Sequence, residues 1–177
     1  IKFKHLRVQR IADVAGIAIA AAYAMGRTGC WAVGDDYGRP WHSRFAVSFP
    51  HGAPPSTVGE MAATFHIPVP PGVSLDTVVS VYPTQLFEVV LGFVMFLILW
   101  RLRDHKHAEG WLFGLYMVLA GIERFGIEFL RAKDDRFFGP LTAAQLIALG
   151  AVVAGFIWMN ARRTVREGAP GIYATAS

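Results

Sequence analysis

The sequence predicts an all-α integral membrane protein, a bundle of about four transmembrane helices with one long outward-facing loop. Three observations predict it. Of 177 residues, 54% are hydrophobic and 17% charged, whereas an ordinary soluble domain is about a quarter charged. Four apolar stretches approach the roughly 20 residues that a helix needs to cross a bilayer. The basic residues gather in hydrophilic segments that fall on one side of the resulting zigzag. Disorder is excluded by the same composition, because disordered chains are polar and poor in aromatics and 13% of this chain is Phe, Trp or Tyr. With a single cysteine, Cys30, neither an internal disulfide nor a cysteine-based metal cluster can form.

The first span runs from about 11 to 31 and is built on Ala, Ile and Gly; the second, about 83–102, contains VVLGFVMFLILW. The third, about 110–130, opens with WLFGLYMVLAGI, and the fourth covers about 142–160. Pro83 and Pro140 sit near helix starts, where a missing N–H costs little. Trp31, Trp100, Trp111 and Trp158 fall at span ends, as an interfacial aromatic belt requires. Lys2, Lys4, Arg7 and Arg10, then Arg101, Arg103 and Lys106, then Arg162, Arg163 and Arg166, supply ten of the 17 basic residues. All lie on one side, which the positive-inside rule makes cytoplasmic and which holds the C-terminus. The formal charge of +4 is therefore a topology signal, and no nucleic-acid partner is expected.

The loop 34–82 and the short loop around Asp134–Gly139 then face outward. The long loop, rich in Pro, Gly and Ser (HGAPPSTVGEM, IPVPPGVSL), suits short strands or an amphipathic segment lying on the membrane. Residues 1–177 are expected to form one membrane domain without internal repeats, ending in a disordered tail over 168–177. The opening at Ile1 on a basic segment reads as a cytoplasmic loop cut open, so a fragment or processed chain is expected.

Ionisable groups inside hydrocarbon are costly unless paired or wet, which makes each one a functional candidate. At 1.5 Å rise per residue, Arg27 lies roughly 6 Å below the outer end of the first span. Glu88 lies roughly 8 Å inside the second span and Arg124 roughly 9 Å inside the third. Three ionisable residues on three helices thus meet at one depth. On the third span Arg124, Glu128 and Arg131 are spaced to share one face, while adjacent Glu123 points to another partner. Arg124–Glu128 reads either as a self-satisfied intrahelical pair or as part of a site. In the second reading the guanidiniums of Arg27 and Arg124 hold a phosphate at headgroup level, since the planar fork grips phosphate oxygens bidentately. The segment GRTGCWAVGDDYGRPW is the densest signal. Its glycines, Gly26, Gly29, Gly34 and Gly38, allow tight turns or close approach, and Arg27, Asp35, Asp36, Tyr37 and Arg39 supply charge and hydrogen bonding around them.

At this motif the chain resembles the prolipoprotein diacylglyceryl transferase family. The resemblance continues in order through VYPTQLFE (81–88), GLYMVLAGIERFGIEFLR (114–131) and GPLTAAQLIALG (139–150). It implies a bacterial inner-membrane, multi-pass enzyme, of whose seven-helix fold this chain would be a part. That enzyme moves the diacylglyceryl group of phosphatidylglycerol onto the lipobox cysteine thiol of a prolipoprotein signal peptide. By position Arg27 and Arg124 are similar to the family's two essential arginines, Gly38 to its required glycine, and Gln85 and Glu128 to its supporting polar residues. Gly26, Gly29, Arg39, Glu88 and Arg131 complete the expected substrate-binding set beside membrane lipid. The chain departs from the family where Cys30 replaces Asn, where Asp35–Asp36 stand for the usual acid, and where Tyr82 replaces His. The family's histidine and an essential tyrosine lie on spans that precede the first one here.

Displacing a phosphate ester needs cations aimed at the developing negative charge, so no metal or other cofactor is expected. Asp35 and Asp36 keep a Mg²⁺ site open as the lesser alternative. Two other functions compete: a lipid- or ion-binding transport module using the same buried charges, and an inactive relative serving as scaffold. Cys30 reads as small packing or as a nucleophile activated by nearby arginines. His42, His51 and His66 share no ligand spacing, and His105 and His107 flank Lys106 on the cytoplasmic side. Asp13, near the inner end of the first span, caps or pairs locally, with Arg10 as its neighbour.

Overall fold

A computed structural model describes residues 7–132, 136–138 and 140–163. Lys2, Lys4, Asp134, Gly139, Arg166 and the tail 168–177 lie outside the described residues. The elements are α1 (Val8–Val33), α2 (Val58–Phe65), α3 (Thr84–Arg101), α4 (Trp111–Ile127), β1 (Arg136–Phe138), β2 (Leu141–Thr142) and α5 (Ala143–Ala161). Apart from a short antiparallel β1–β2 pair, the architecture is helical, as expected. Three helices, α1, α3 and α5, are long and apolar enough to cross a membrane.

These helices are apolar outside as well as inside. Val90, Phe93, Val94 and Leu97 on α3, and Ile147, Val153, Phe156 and Ile157 on α5, are all exposed. Such faces belong in hydrocarbon, because they would form large apolar patches in water. The chain is an integral membrane protein. Its interior is a cluster of Ile17, Ala20, Met95, Leu99 and Leu112 where α1, α3 and α4 meet. α4 lies against α5 so closely that a Cβ on Gly114 would come 3.1 Å from the Gly155 carbonyl, the close backbone approach that small residues give helices in membranes.

α4 ends earlier than its apolar pattern suggests. The spacing predicts a helix to about 130, but regular helix stops at Ile127. The next residues tighten, with Phe129 N–H donating to Gly126 O and Leu130 N–H to Ile127 O. The physical cause is tertiary: Arg39 N–H takes the Leu130 carbonyl at 2.8 Å, and Arg131 pairs as a bridge with Gly38. Those backbone groups cannot serve a further helical turn. Arg131 therefore leaves the face it was expected to share with Arg124 and Glu128.

At its other end α4 is capped from a different helix. Gly110, at φ 95°, offers no capping side chain. Instead Asp13 of α1, fully buried, accepts Gly110 N–H at 2.7 Å and Phe113 N–H at 2.8 Å. Two orphan donors of the first turn are thereby satisfied. His105 approaches the same carboxylate at 3.9 Å and packs on Trp111 with ring centres 5.3 Å apart. Burial holds its imidazole below the usual value, against the pull of Asp13.

The long loop between α1 and α3 is a folded cap. α2 is flanked by bridges pairing Val47 with Val81, Pro40 with Val81 and Thr57 with Val78. A second core of Tyr37, Met61, Val81 and Ala132, with Phe49 and Phe65 against it, lies beneath them. The cap seats the two segments that follow α1 and α4 on the start of α3.

Candidate active site

Arg27 sits two turns before the end of α1. The helix stops at Gly34, whose φ of 72° is the left-handed conformation that glycine adopts without penalty. Its N–H closes on Cys30 O at 2.9 Å, and the chain folds back over the last turns. Asp36, itself at φ 54°, is thus returned to a residue nine positions earlier. Its Oδ2 lies 2.8 Å from Arg27 Nη1, and its Oδ1 accepts from Arg131 Nη2. Burial works against the charge on Asp36, but Arg131 and Arg27 outweigh it and hold the carboxyl below the usual carboxylate range.

α3 fixes this loop from below. Pro83 starts the helix, and the next two side chains turn into the loop. Thr84 Oγ1 donates to Asp36 O at 2.7 Å, and Gln85 Nε2 donates to Asp35 O at 2.5 Å. Both residues are fully buried. One turn further on, Glu88 meets Arg27 Nη2 at 2.9 Å with no exposed surface of its own. The depth match between Arg27 and Glu88 expected from the sequence is a direct contact.

Gly38 joins the motifs. A Cβ there would strike the Leu130 carbonyl oxygen and would come 2.6 Å from Tyr82 Cβ and 2.9 Å from Thr84 Cγ2. Gly38 N–H donates to Tyr82 O at 2.9 Å, and Tyr82 N–H donates to Arg39 O at 3.1 Å. The Arg39 guanidinium is a strut, its Nε donating to Arg131 O at 2.9 Å. Three separated segments of sequence therefore interlock around one glycine. Gly26 and Gly29 differ: a Cβ on either meets nothing within 4 Å. They lie on an open face of α1, so the close approach expected of them is not to any described part of the chain.

Arg124 comes from the last turn of α4. Its Nη2 lies 2.8 Å from Glu128 Oε2, the i, i+4 pair read from spacing. Glu128 is held in turn by Thr142 Oγ1 at 3.1 Å, from the residue that also caps α5. Arg124 Nη1 is buried and has no hydrogen-bond partner among the described residues. Arg124 and Arg27 line the same cavity of about 200 Å³, together with Tyr23, Tyr116 and Glu123. The intrahelical pair thus satisfies only part of Arg124.

Two residues outside the expected set complete the wall. Tyr23, one turn before Arg27, places its hydroxyl 3.0 Å from Glu88 Oε1 and 3.0 Å from Glu123 Oε1. Glu123 does point away from its neighbour Arg124's partner Glu128, as its position on the helix requires. The sequence signal for Tyr23 was its place four residues before Arg27, on the same helix face. Cys30 Sγ is 3.7 Å from Arg27 Nη1. One Sγ or carboxylate oxygen from each of Cys30, Asp35 and Asp36 falls within 4.8 Å of the others. Both Asp36 oxygens are already spent on guanidiniums, which makes that corner a poor home for a cation.

Paired charges enclosed between apolar helices, beside a cavity that Arg27, Glu123 and Arg124 line, define an integral membrane protein with a charged interior site. A family model for prolipoprotein diacylglyceryl transferase matches residues 1–161, and the chain belongs to that family. It is 29% identical over 192 residues to the phosphatidylglycerol–prolipoprotein diacylglyceryl transferase of Borreliella afzelii (strain PKo), covering 94% of this chain and 58% of that protein. The protein of the same name from Xylella fastidiosa (strain M23) is 30% identical over 173 residues, 90% of this chain and 57% of the relative. A shorter match, 37% over 93 residues, links it to the Solidesulfovibrio magneticus protein of that name, covering 50% of this chain and 35% of the relative. The chain spans about half the length of the curated relatives it matches.

Proposed function

We propose that this chain forms the phosphate-binding half of a phosphatidylglycerol–prolipoprotein diacylglyceryl transferase. In the reaction a lipobox cysteine thiol attacks the diacylglyceryl carbon, the carbon–oxygen bond breaks, and glycerol phosphate leaves. Negative charge grows on the departing phosphate. Cations already aimed at that position stabilise the transition state without reorganising, and holding thiol and carbon in line supplies much of the remainder. The observation that carries this reading is the shared cavity of Arg27 and Arg124. Arg27 is braced by Glu88 and Asp36; Arg124 is braced by Glu128 and retains a donor unused by any described residue. Gln85, Gly38, Arg39 and Arg131 keep the loop that carries Asp36 in place, and Gly26 and Gly29 leave room along α1 for the lipid.

The same reading treats α4 as a fourth span within a single membrane domain. It sets the basic ends of the helices in the cytoplasm, with the C-terminus, and the cap and cavity towards the outer face of a bacterial inner membrane. The test is transfer of diacylglyceryl to a lipobox peptide by the full-length protein in phosphatidylglycerol vesicles. Arg27→Lys and Arg124→Lys should each slow transfer by about 10²–10³-fold, the usual cost of losing one preorganised donor. Parental rates in both variants would refute the phosphate clamp.

A further inference from the structure

One hydroxyl faces two carboxylates. Tyr23 Oη is 3.0 Å from Glu88 Oε1 and 3.0 Å from Glu123 Oε1, yet a phenol has one hydrogen to donate. It can satisfy both contacts only by donating to one oxygen and accepting from the other, so one carboxyl must carry a proton. Glu88 is the ion-paired member, 2.9 Å from Arg27 Nη2. Among the described residues no Lys, Arg or His nitrogen lies within ion-pair distance of Glu123. Two carboxylates sharing one site do not both ionise without a large cost. The proton therefore belongs on Glu123, in the wall of the cavity that Arg27 and Arg124 line.

We propose that Glu123 is a protonated carboxylic acid, hydrogen-bonded through Tyr23 to the Glu88 carboxylate, and that it delivers its proton to the anionic leaving group in this cavity. The delivery step rests on the function proposed above; the location of the proton does not. In that step the sulfur–carbon bond forms as the carbon–oxygen bond breaks, and the freed electron pair stays on the phosphate oxygen. That oxygen takes the Glu123 proton, and the acceptor thiol's proton returns to Glu123, which restores the Tyr23-linked trio. The two arginines stabilise charge while Glu123 removes part of it, so their contributions are separable.

Infrared difference spectroscopy on the full-length protein in nanodiscs at neutral pH locates the proton whether or not lipid is transferred. The expected result is a carboxylic-acid C=O band that Glu123→Gln abolishes, Tyr23→Phe shifts, and Glu60→Gln in the cap leaves alone. Tyr23→Phe keeps the test decisive if Glu123→Gln fails to fold. A neutral-pH spectrum with no such band, or a band indifferent to Tyr23→Phe, overturns the proposal. In the transfer assay Glu123→Gln should lower kcat by about 10²-fold, the low end for a general acid, with KM for phosphatidylglycerol unchanged. Loss confined to KM, or parental kcat, overturns proton delivery. A parent protein that transfers nothing defeats the transferase reading, and the infrared band still decides where the proton sits.

Discussion

At Arg27 three elements converge: its own helix, Glu88 from α3 and Asp36 from the loop that folds back after Gly34. Asp36 sets the pH behaviour of this junction. Its carboxyl is held low in the folded chain, so its stabilising contribution is complete above the unfolded value of about 3.9 and disappears as pH falls through the folded one. The stability gap between parent and Asp36→Asn in detergent melts should therefore stay constant from about pH 5 to 8 and close only in stronger acid. Gly38→Ala places a methyl group against the Leu130 carbonyl and Tyr82; a loss of about 1–3 kcal/mol is expected, as for other overpacked sites. Residues of this junction were unequally legible in the sequence. Arg27, Glu88, Arg124 and Glu128 could be placed by depth and spacing along straight helices. Asp36 could not, because its position depends on two left-handed residues separated by Asp35, Gly34 and Asp36 itself. Arg131 was misplaced because its backbone obeys Gly38 and Arg39 rather than the helix that precedes it.

Positions of the long helices followed from apolar runs, and α1, α3, α4 and α5 each lie within a few residues of the stretch expected for them, whereas α2 had no helix assigned to it. The ends depended on tertiary partners. α4 begins under a cap donated by Asp13, almost a hundred residues earlier, which no local capping signal could reveal. Removing that carboxylate leaves two buried N–H groups without acceptors. Asp13→Ala should cost about 1–3 kcal/mol, the usual penalty for stranding buried polar groups, with hydrogen exchange rising first at residues 110–113. Uniform loosening across all helices would contradict a local capping role. The cap over α3 shows the same limit: the Pro-, Gly- and Ser-rich loop suited short strands or an amphipathic segment, but its core depends on Tyr37, Val81 and Ala132 meeting from three distant segments.

For the whole molecule, a helical bundle in lipid supports a folded cap, and their junction holds a cluster of paired charges. Membership of the prolipoprotein diacylglyceryl transferase family gives that junction its chemical context, with a chain that spans a little over half of the Borreliella and Xylella relatives. The structure explains why the interlocked motifs are separated in sequence: each supplies one strut, from α1, α3 or α4, to a cavity that none could enclose alone. The central claim is that two guanidiniums act on one phosphate, and a double-mutant cycle on kcat/KM for diacylglyceryl transfer tests it most directly. If Arg27 and Arg124 grip the same group, the combined Lys variant should lose clearly less than the product of the single losses, because the first substitution already disrupts what the second supports. Losses that multiply independently, or no loss in either single variant, would contradict the shared clamp.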